Sequence, residues 1–181
     1  LSGELVSAFP AVKTTISEIH IKEDIMEKEE CPKGTGISGI TGKIVKVRHA
    51  TEADMGFIVE YSKRYGLDEE NLSYNQFVVA MENGFPVGFG RLKKTGEAYE
   101  IGCVVVMDEK KYQGVDSLII NHLIDFSPVK TVYVISDLVD YFKKLGFTEA
   151  KAESTELINS LDKACRMGGK QNAVLMVYKK N

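Results

Sequence analysis

Glu100 is the residue of this 181-residue chain whose setting most invites a chemical reading. It lies in residues 97–107, Glu-Ala-Tyr-Glu-Ile-Gly-Cys-Val-Val-Val-Met, a segment that is otherwise mostly apolar. A carboxylate among apolar neighbours costs free energy unless it is paired, solvated or used. It therefore reads either as a general base or as a groove glutamate facing water. By strand alternation it shares a face with Gly102, Val104 and Val106, opposite Tyr99, Ile101 and Cys103. Arg48 and Arg91 carry the planar N–H pair that grips a substrate carboxylate. For each, a surface ion pair is the commoner outcome.

Other reactive residue types are less pointed. His20, His49 and His122 fall on different elements with no partner at ligand spacing, and His122 lies beside an apolar helical face, as a packed histidine would. Cys31, Cys103 and Cys165 are odd in number and include no Cys-x-x-Cys pair, so they form neither a disulfide framework nor a zinc site. Cys103 in a strand and Cys165 on a late helix read as small core hydrophobes. The spacing Gly34-x-Gly36-x-x-Gly39 resembles a dinucleotide fingerprint but lacks the buried strand before it and the helix after it, so it reads as a linker.

At 44% apolar the chain is long enough for one domain with a full core. A net charge of −3 and a pI near 5.7 argue against a general nucleic-acid surface, and the lysine doublets 110–111 and 143–144 read as solvated faces. No apolar run reaches 18 residues and no signal-peptide pattern is visible, so no membrane partner is expected and the cytoplasm is the simplest location. The first residue, Leu1, is not Met, which reads as a cloning remnant or a piece of a longer protein.

The elements that must position these residues divide the chain. Residues 1–42 form an N-terminal extension with material for one strand in 12–21, an acidic stretch and a Gly/Pro/Ser loop at 31–39. Its apolar content is too low for it to fold alone, which makes a homodimer an expectation. A domain spans 43–181. Ile44, Val45 and Val47 open it as a strand, and Thr51 with Asp54 forms a helix cap ahead of Met55, Ile58, Val59 and Ser62 at helical spacing. Strands at 77–81, 86–92 and 97–107 follow, joined by Asn83-Gly84 and by Lys94-Thr95-Gly96, and must be consecutive and antiparallel. A helix carrying Val115, Leu118, Ile119, Leu123 and Phe126, a strand at 131–135, helices at 137–145 and 153–167 and a strand at 173–178 complete a mixed sheet flanked by helices, in the α+β class.

This order resembles the GNAT superfamily of N-acetyltransferases over about 43–180. Val47-Arg48-His49-Ala50-Thr51-Glu52-Ala53-Asp54 is similar to the family's opening segment, Pro86-Val87-Gly88-Phe89-Gly90 to its hairpin, and residues 100–106 to its fourth strand. The Tyr141-Phe142-Lys143-Lys144-Leu145-Gly146-Phe147 stretch resembles its Gly-Phe motif, and the tail looks most like the small glutamate N-acetyltransferases. The resemblance implies a GNAT-like sheet with an antiparallel first half. It implies acetyl-CoA as co-substrate, its thioester gripped by backbone amides of Cys103, Val104, Val105 and Val106, and its pyrophosphate by the turn Gln113, Gly114, Val115, Asp116 and Ser117. That turn departs from the family pattern Gln/Arg-x-x-Gly-x-Gly/Ala: its second and third glycines are absent and about two residues seem missing before the helix. Asp116 would there face a like charge. The resemblance also implies Glu100 as base and, beside the family's tyrosine position at Phe142, Tyr141 as acid.

The reading is direct acetyl transfer to a primary amine of a small molecule, glutamate being one candidate, with no metal. A catalytically weak or inactive binding module on the same fold, its pyrophosphate turn eroded, is the alternative. A protein-acetylating enzyme is a third.

Overall fold

The computed structural model describes residues 44–107, 114–167 and 172–180. The extension, its expected strand and loop, the domain boundary, the lysines at 110 and 111, Gln113 and the Gly168-Gly169 helix stop lie outside the described residues. No described helix is long and apolar enough to cross a membrane.

Strand β1 (Val45–His49) leads through a 3-10 turn, Glu52–Asp54, into helix α1 (Met55–Arg64). The Asp54 carboxylate accepts the backbone N–H and the hydroxyl of Thr51, both at 2.7 Å, and takes the Arg48 guanidinium in a two-pronged contact at 2.8 and 2.9 Å. The Arg48 hydrogen bonds, helped by those from Thr51, hold the Asp54 carboxyl well below the usual range. Arg48 is thus an ion-pair partner at the start of the domain.

Strands β2 (Phe77–Glu82), β3 (Phe85–Thr95) and β4 (Ala98–Val106) pair antiparallel in succession, turning at Asn83 and Gly84, both at positive φ. Helix α2 (Val115–Phe126) then returns the chain to β5 (Thr131–Ser136), which runs parallel to β4. Helix α3 (Val139–Lys144), a two-residue strand β6 (Thr148–Glu149), helix α4 (Thr155–Met167) and β7 (Val174–Lys179) follow. The sheet order is β1-β2-β3-β4-β5-β7-β6. The mixed sheet with an antiparallel first half is as expected; β6 carries no apolar pattern and was not foreseen. Helix α3 is also shorter than the expected 137–145, because Ser136 Oγ accepts the Leu138 N–H and ends β5 in a turn.

The sheet has a core on each face. One holds Ile101, Val104, Ile119, Leu123, Val134 and Phe142, so α2 and α3 lie on the same side. The other packs Ile58 of α1 against Phe77, Val79, Phe89 and Val105. Helix α2 approaches β3 at Gly90, where an added Cβ would meet Ile119 Cγ2 at 2.5 Å and Leu123 Cδ1 at 2.8 Å.

Strand β4 carries the feature that reorganises the site. Leu92 pairs with Ile101 and Arg91 with Gly102, but Phe89 pairs with Val105, so Cys103 and Val104 stand opposite Gly90 alone. This is a β-bulge, with Cys103 at φ 51°. It shifts the side-chain alternation by one residue. Val104 therefore joins Ile101 beneath α2, while Cys103 and Val105 face α1. The expected grouping of Glu100 with Val104 and Val106 is corrected: Glu100 shares its face with Cys103 and Val105.

Arg91 is 1% exposed and is no surface ion pair. Its Nε donates to Gln76 Oε1 at 3.0 Å, and its terminal nitrogens donate to the backbone carbonyls of Asp68, Glu70 and Asn71 at 3.4, 2.8 and 3.3 Å. One arginine thus pins the α1–β2 loop over β3 and β4.

Three outcomes follow for stability. Arg91→Met leaves those carbonyls without their donor, and urea unfolding should show a loss of about 2–4 kcal/mol. Gly90→Ala should cost about 1–3 kcal/mol by crowding Ile119 and Leu123, whereas Gly56→Ala, exposed in α1 with nothing within 4 Å of its added Cβ, should gain up to about 1 kcal/mol.

Candidate active site

Strands β4 and β5 are joined through only three residue pairs, Tyr99–Val132, Glu100–Tyr133 and Ile101–Val134. Past Ile101, β4 bulges at Cys103 and continues to Val106 along β3, with no strand partner on its β5 side among the described residues. The sheet is split there, and among the described residues those backbone groups of residues 103–106 that point away from β3 have no ladder partner. A carbonyl oxygen placed in such a split can be held by backbone amides, which is the arrangement acyl transfer needs.

Glu100 stands at the closed end of the split, on the face of α1 and α4. Its Oε2 accepts the Ser160 hydroxyl of α4 at 2.7 Å and has Thr95 Oγ1 at 3.5 Å. Part of the residue stays accessible, while the carboxylate lies deep enough that burial pushes its pKa above the ordinary value. Beside it Asp68 accepts Lys93 Nζ at 2.8 Å and Lys163 Nζ at 3.2 Å, with Arg91 3.7 Å away. Burial raises the Asp68 carboxyl, but hydrogen bonds from Lys93, the Glu70 amide and Lys163 outweigh it and bring it to about 2. Lys163 also reaches Glu70 at 3.1 Å, so α4 is tied to the α1–β2 loop above Glu100. None of Ser160, Lys163 and Asp68 was singled out from the sequence. They reach Glu100 only through tertiary packing, and each alone reads as a surface residue.

The expected acid and the expected pyrophosphate turn meet on the opposite face. Helices α2 and α3 both begin at the end of the sheet where β4 and β5 part. Their first turns are joined by a hydrogen bond from the Tyr141 hydroxyl to Asp116 Oδ2 at 2.5 Å, with Ser117 Oγ 3.2 Å from the Tyr141 hydroxyl oxygen. Burial and the bond to Asp116 push the Tyr141 pKa well above its usual value, so the phenol keeps its proton and donates it in a hydrogen bond to Asp116. Gly114, at φ 75°, is the residue immediately before α2. Counted from Gly114, the last small position of the pattern falls on Asp116. Val115, the intervening residue, is 1% exposed and belongs to the core rather than to any ligand surface.

The remaining residues fall into place simply. His49 and His122, taken as scattered, lie with ring centroids 5.9 Å apart, His49 also against Phe126 at 4.3 Å. Among the described residues no group of three or more His, Cys, Asp or Glu is placed to hold a metal ion. Cys103 and Cys165 are free thiols, and burial raises the Cys103 pKa, as an unreactive cysteine requires.

No protein-family model matches this chain, and no curated protein matches it. Solved structures do. N-acetylglutamate synthase from Neisseria gonorrhoeae, complexed with coenzyme A and N-acetyl-glutamate, aligns with TM-score 0.59 and 18% identity over 78% of this chain. This chain spans only 36% of that synthase. Rv2747 from Mycobacterium tuberculosis, in complex with CoA, aligns with TM-score 0.59 and 22% identity over 75% of this chain and 99% of its own. Diaminobutyrate acetyltransferase from Paenibacillus lautus, complexed with its substrate and coenzyme A, gives 0.52 and 14% over 76% and 96%. At these identities the likeness is one of architecture: the chain is built on the fold of the GCN5-related N-acetyltransferases.

Proposed function

We propose that this chain is an N-acetyltransferase that moves an acetyl group from acetyl-CoA to a primary amine of a small molecule. The observation that carries the reading is the β4–β5 split with Glu100 at its closed end. The acetyl-pantetheine arm lies in the split, its thioester oxygen on β4 amides between Cys103 and Val106. The amine enters from the α4 face. Glu100 takes a proton from the ammonium group, the free nitrogen attacks the thioester carbon, and the C–S bond breaks. The attacking nitrogen sheds its second proton to solvent as the amide forms, the departing thiolate takes up a proton, for which Tyr141 is the donor once its hydroxyl is released from Asp116, and exchange with solvent restores both side chains. No covalent intermediate is required.

Glutamate is the acceptor to try first. Lys93, Lys163 and Arg91 converge near Glu100, and the gonococcal structure of the same fold contains N-acetyl-glutamate. An acceptor carboxylate would join or displace Asp68 among those cations. The second reading, a binding module with weak or absent catalysis, is favoured by the Tyr141–Asp116 bond across the donor's path.

Calorimetric titration with acetyl-CoA, and with CoA as control, should show micromolar binding; no heat up to millimolar concentration would leave the fold without its donor. With a turning-over amine, Glu100→Gln should lower kcat by about 100-fold or more without weakening CoA binding. Because the working form of Glu100 is the carboxylate and its pKa is raised, kcat/KM should climb with pH through a value above the ordinary glutamate range. A pH profile that is flat from 5 to 8 in the wild type, or unaltered in Glu100→Gln, would remove Glu100 from the mechanism.

A further inference from the structure

We infer that Ser160 is a positioning residue for this reaction: its hydroxyl holds Glu100 by Oε2 and so leaves Oε1 as the oxygen that takes the proton from the acceptor amine. The inference rests on the acyl-transfer reading above and deepens it, naming the atom of the base that works and the helix that aims it.

The two oxygens of Glu100 stand in different surroundings. Both hydrogen bonds to its carboxylate land on Oε2, from Ser160 Oγ at 2.7 Å and from Thr95 Oγ1 at 3.5 Å. The first is a short, charge-assisted bond and the second lies at the limit of one. Among the described residues Oε1 accepts no hydrogen bond. It is not sealed in either, since the buried side-chain oxygens without a partner there are Ser62 Oγ and Asp137 Oδ1. Oε1 therefore opens onto the site. Glu100 and Gly102 pair with Lys93 and Arg91, alternate residues of β3, and so share a face of β4. Gly102 is half-buried, and among the described residues no atom comes within 4 Å of the place its Cβ would take. Gly88 and Gly90 of β3 are the opposite case, with Val105 O at 2.6 Å and Ile119 Cγ2 at 2.5 Å from an added Cβ. Those two serve close packing; Gly102 leaves space on the face where Glu100 stands.

Helix α4 supplies the grip. Leu157, 3% exposed, marks its packed side, and Ser160, Leu161 and Ala164 follow at helical spacing, each half-buried. A serine inside a helix commonly turns its hydroxyl to solvent or to the carbonyl four residues back. Here the hydroxyl crosses to β4, 60 residues away in sequence. The charged groups around Glu100 are engaged elsewhere. Lys93 of β3 and Lys163 of α4 are bound to Asp68 of the α1–β2 loop, Lys163 also to Glu70, and Arg91 to loop carbonyls. Cys103 on β4 and Tyr133, opposite Glu100 on β5, are the other titratable groups on this face. A serine is a neutral donor, so it fixes the carboxylate without the permanent opposite charge that would weaken a base. In the step itself an O–H bond forms at Oε1 as the N–H bond breaks, and its electron pair stays on nitrogen for the attack. Ser160 keeps its own proton throughout.

The test titrates the Glu100 carboxyl by carbon NMR in the full chain labelled at its glutamate carboxyl carbons, with Glu100→Gln assigning the resonance. Wild type, Ser160→Ala and Ser160→Thr are compared, with thermal melts to show that each folds. The serine bond favours the ionised form, so its loss raises the pKa: in Ser160→Ala the midpoint should rise by about one pH unit. Ser160→Thr, which keeps the hydroxyl, should stay close to the wild type. With an amine that turns over, Ser160→Ala should lower kcat/KM about tenfold at a pH below the midpoint and move its rising limb upward by the same pH unit. Its affinity for CoA should be unchanged. A midpoint and limb that do not move in Ser160→Ala, whatever the melting temperature does, make Ser160 a packing residue and overturn this inference, while Glu100→Gln still shows its loss of rate. Ser160→Thr behaving as Ser160→Ala overturns the role of the hydroxyl equally. No loss of rate in Glu100→Gln removes the base, and this inference with it.

Discussion

The constraint on which the rest of the structure depends is that β4 must satisfy two partners with different geometries. Along one edge it is antiparallel to β3 for nearly its whole length; along the other it is parallel to β5 for three residue pairs. The bulge at Cys103 is how the strand does both. By inserting one residue against Gly90 it bends β4 away from β5 and opens the split. The same insertion exchanges the faces of every later side chain. Val104 is thereby delivered to the α2 core and Val105 to the α1 core. The split itself, the hydrophobic packing on both faces and the grouping of Glu100 with Cys103 and Val105 all follow from one extra residue.

On the Glu100 face the electrostatics are built to hold a carboxylate in a poised state. Burial favours its protonated form, while Ser160 and the charge of Lys93 favour the ionised one. The neighbouring cations do not simply neutralise Glu100, because Asp68 holds Lys93 and Lys163 and the backbone carbonyls hold Arg91. A glutamate with a free arginine beside it would be a permanently charged and weak base. Here the strongest cation is spent on loop architecture, so Glu100 keeps a raised pKa within reach of solvent.

Much of this fold is legible from residue patterns, and the illegible parts share a cause. Local chemistry announces itself: Asn83-Gly84 turns a hairpin, Thr51 and Asp54 start a helix, and the apolar run at 131–135 is a strand. Pairing geometry does not. A cysteine at φ 51° has no sequence signature, since glycine or asparagine is the residue that ordinarily signals that conformation. Alternation counted through Cys103 therefore assigns Val104 and Val106 to the wrong face. Arg91 reads as a charged strand residue because the loop carbonyls that consume it lie 20 residues or more away. Glu100 and Tyr141 were both visible as chemistry-bearing residues. Ser160 and the Asp116 contact to Tyr141 were not, being respectively 60 and 25 residues from the groups they serve.

The Tyr141–Asp116 bond also has a mechanical role that explains why it sits where it does. Three residue pairs are a short seam between the sheet's halves, β1 to β4 on one side and β5, β7 and β6 on the other. Helix α2 packs on β1 to β4, and α3 packs on β6 and β7, so the two helices belong to different halves. A bond between their first turns closes the structure at the end where the strands have parted. The bond crosses the opening where the two strands share no ladder, adding to the packing of both helices on one core.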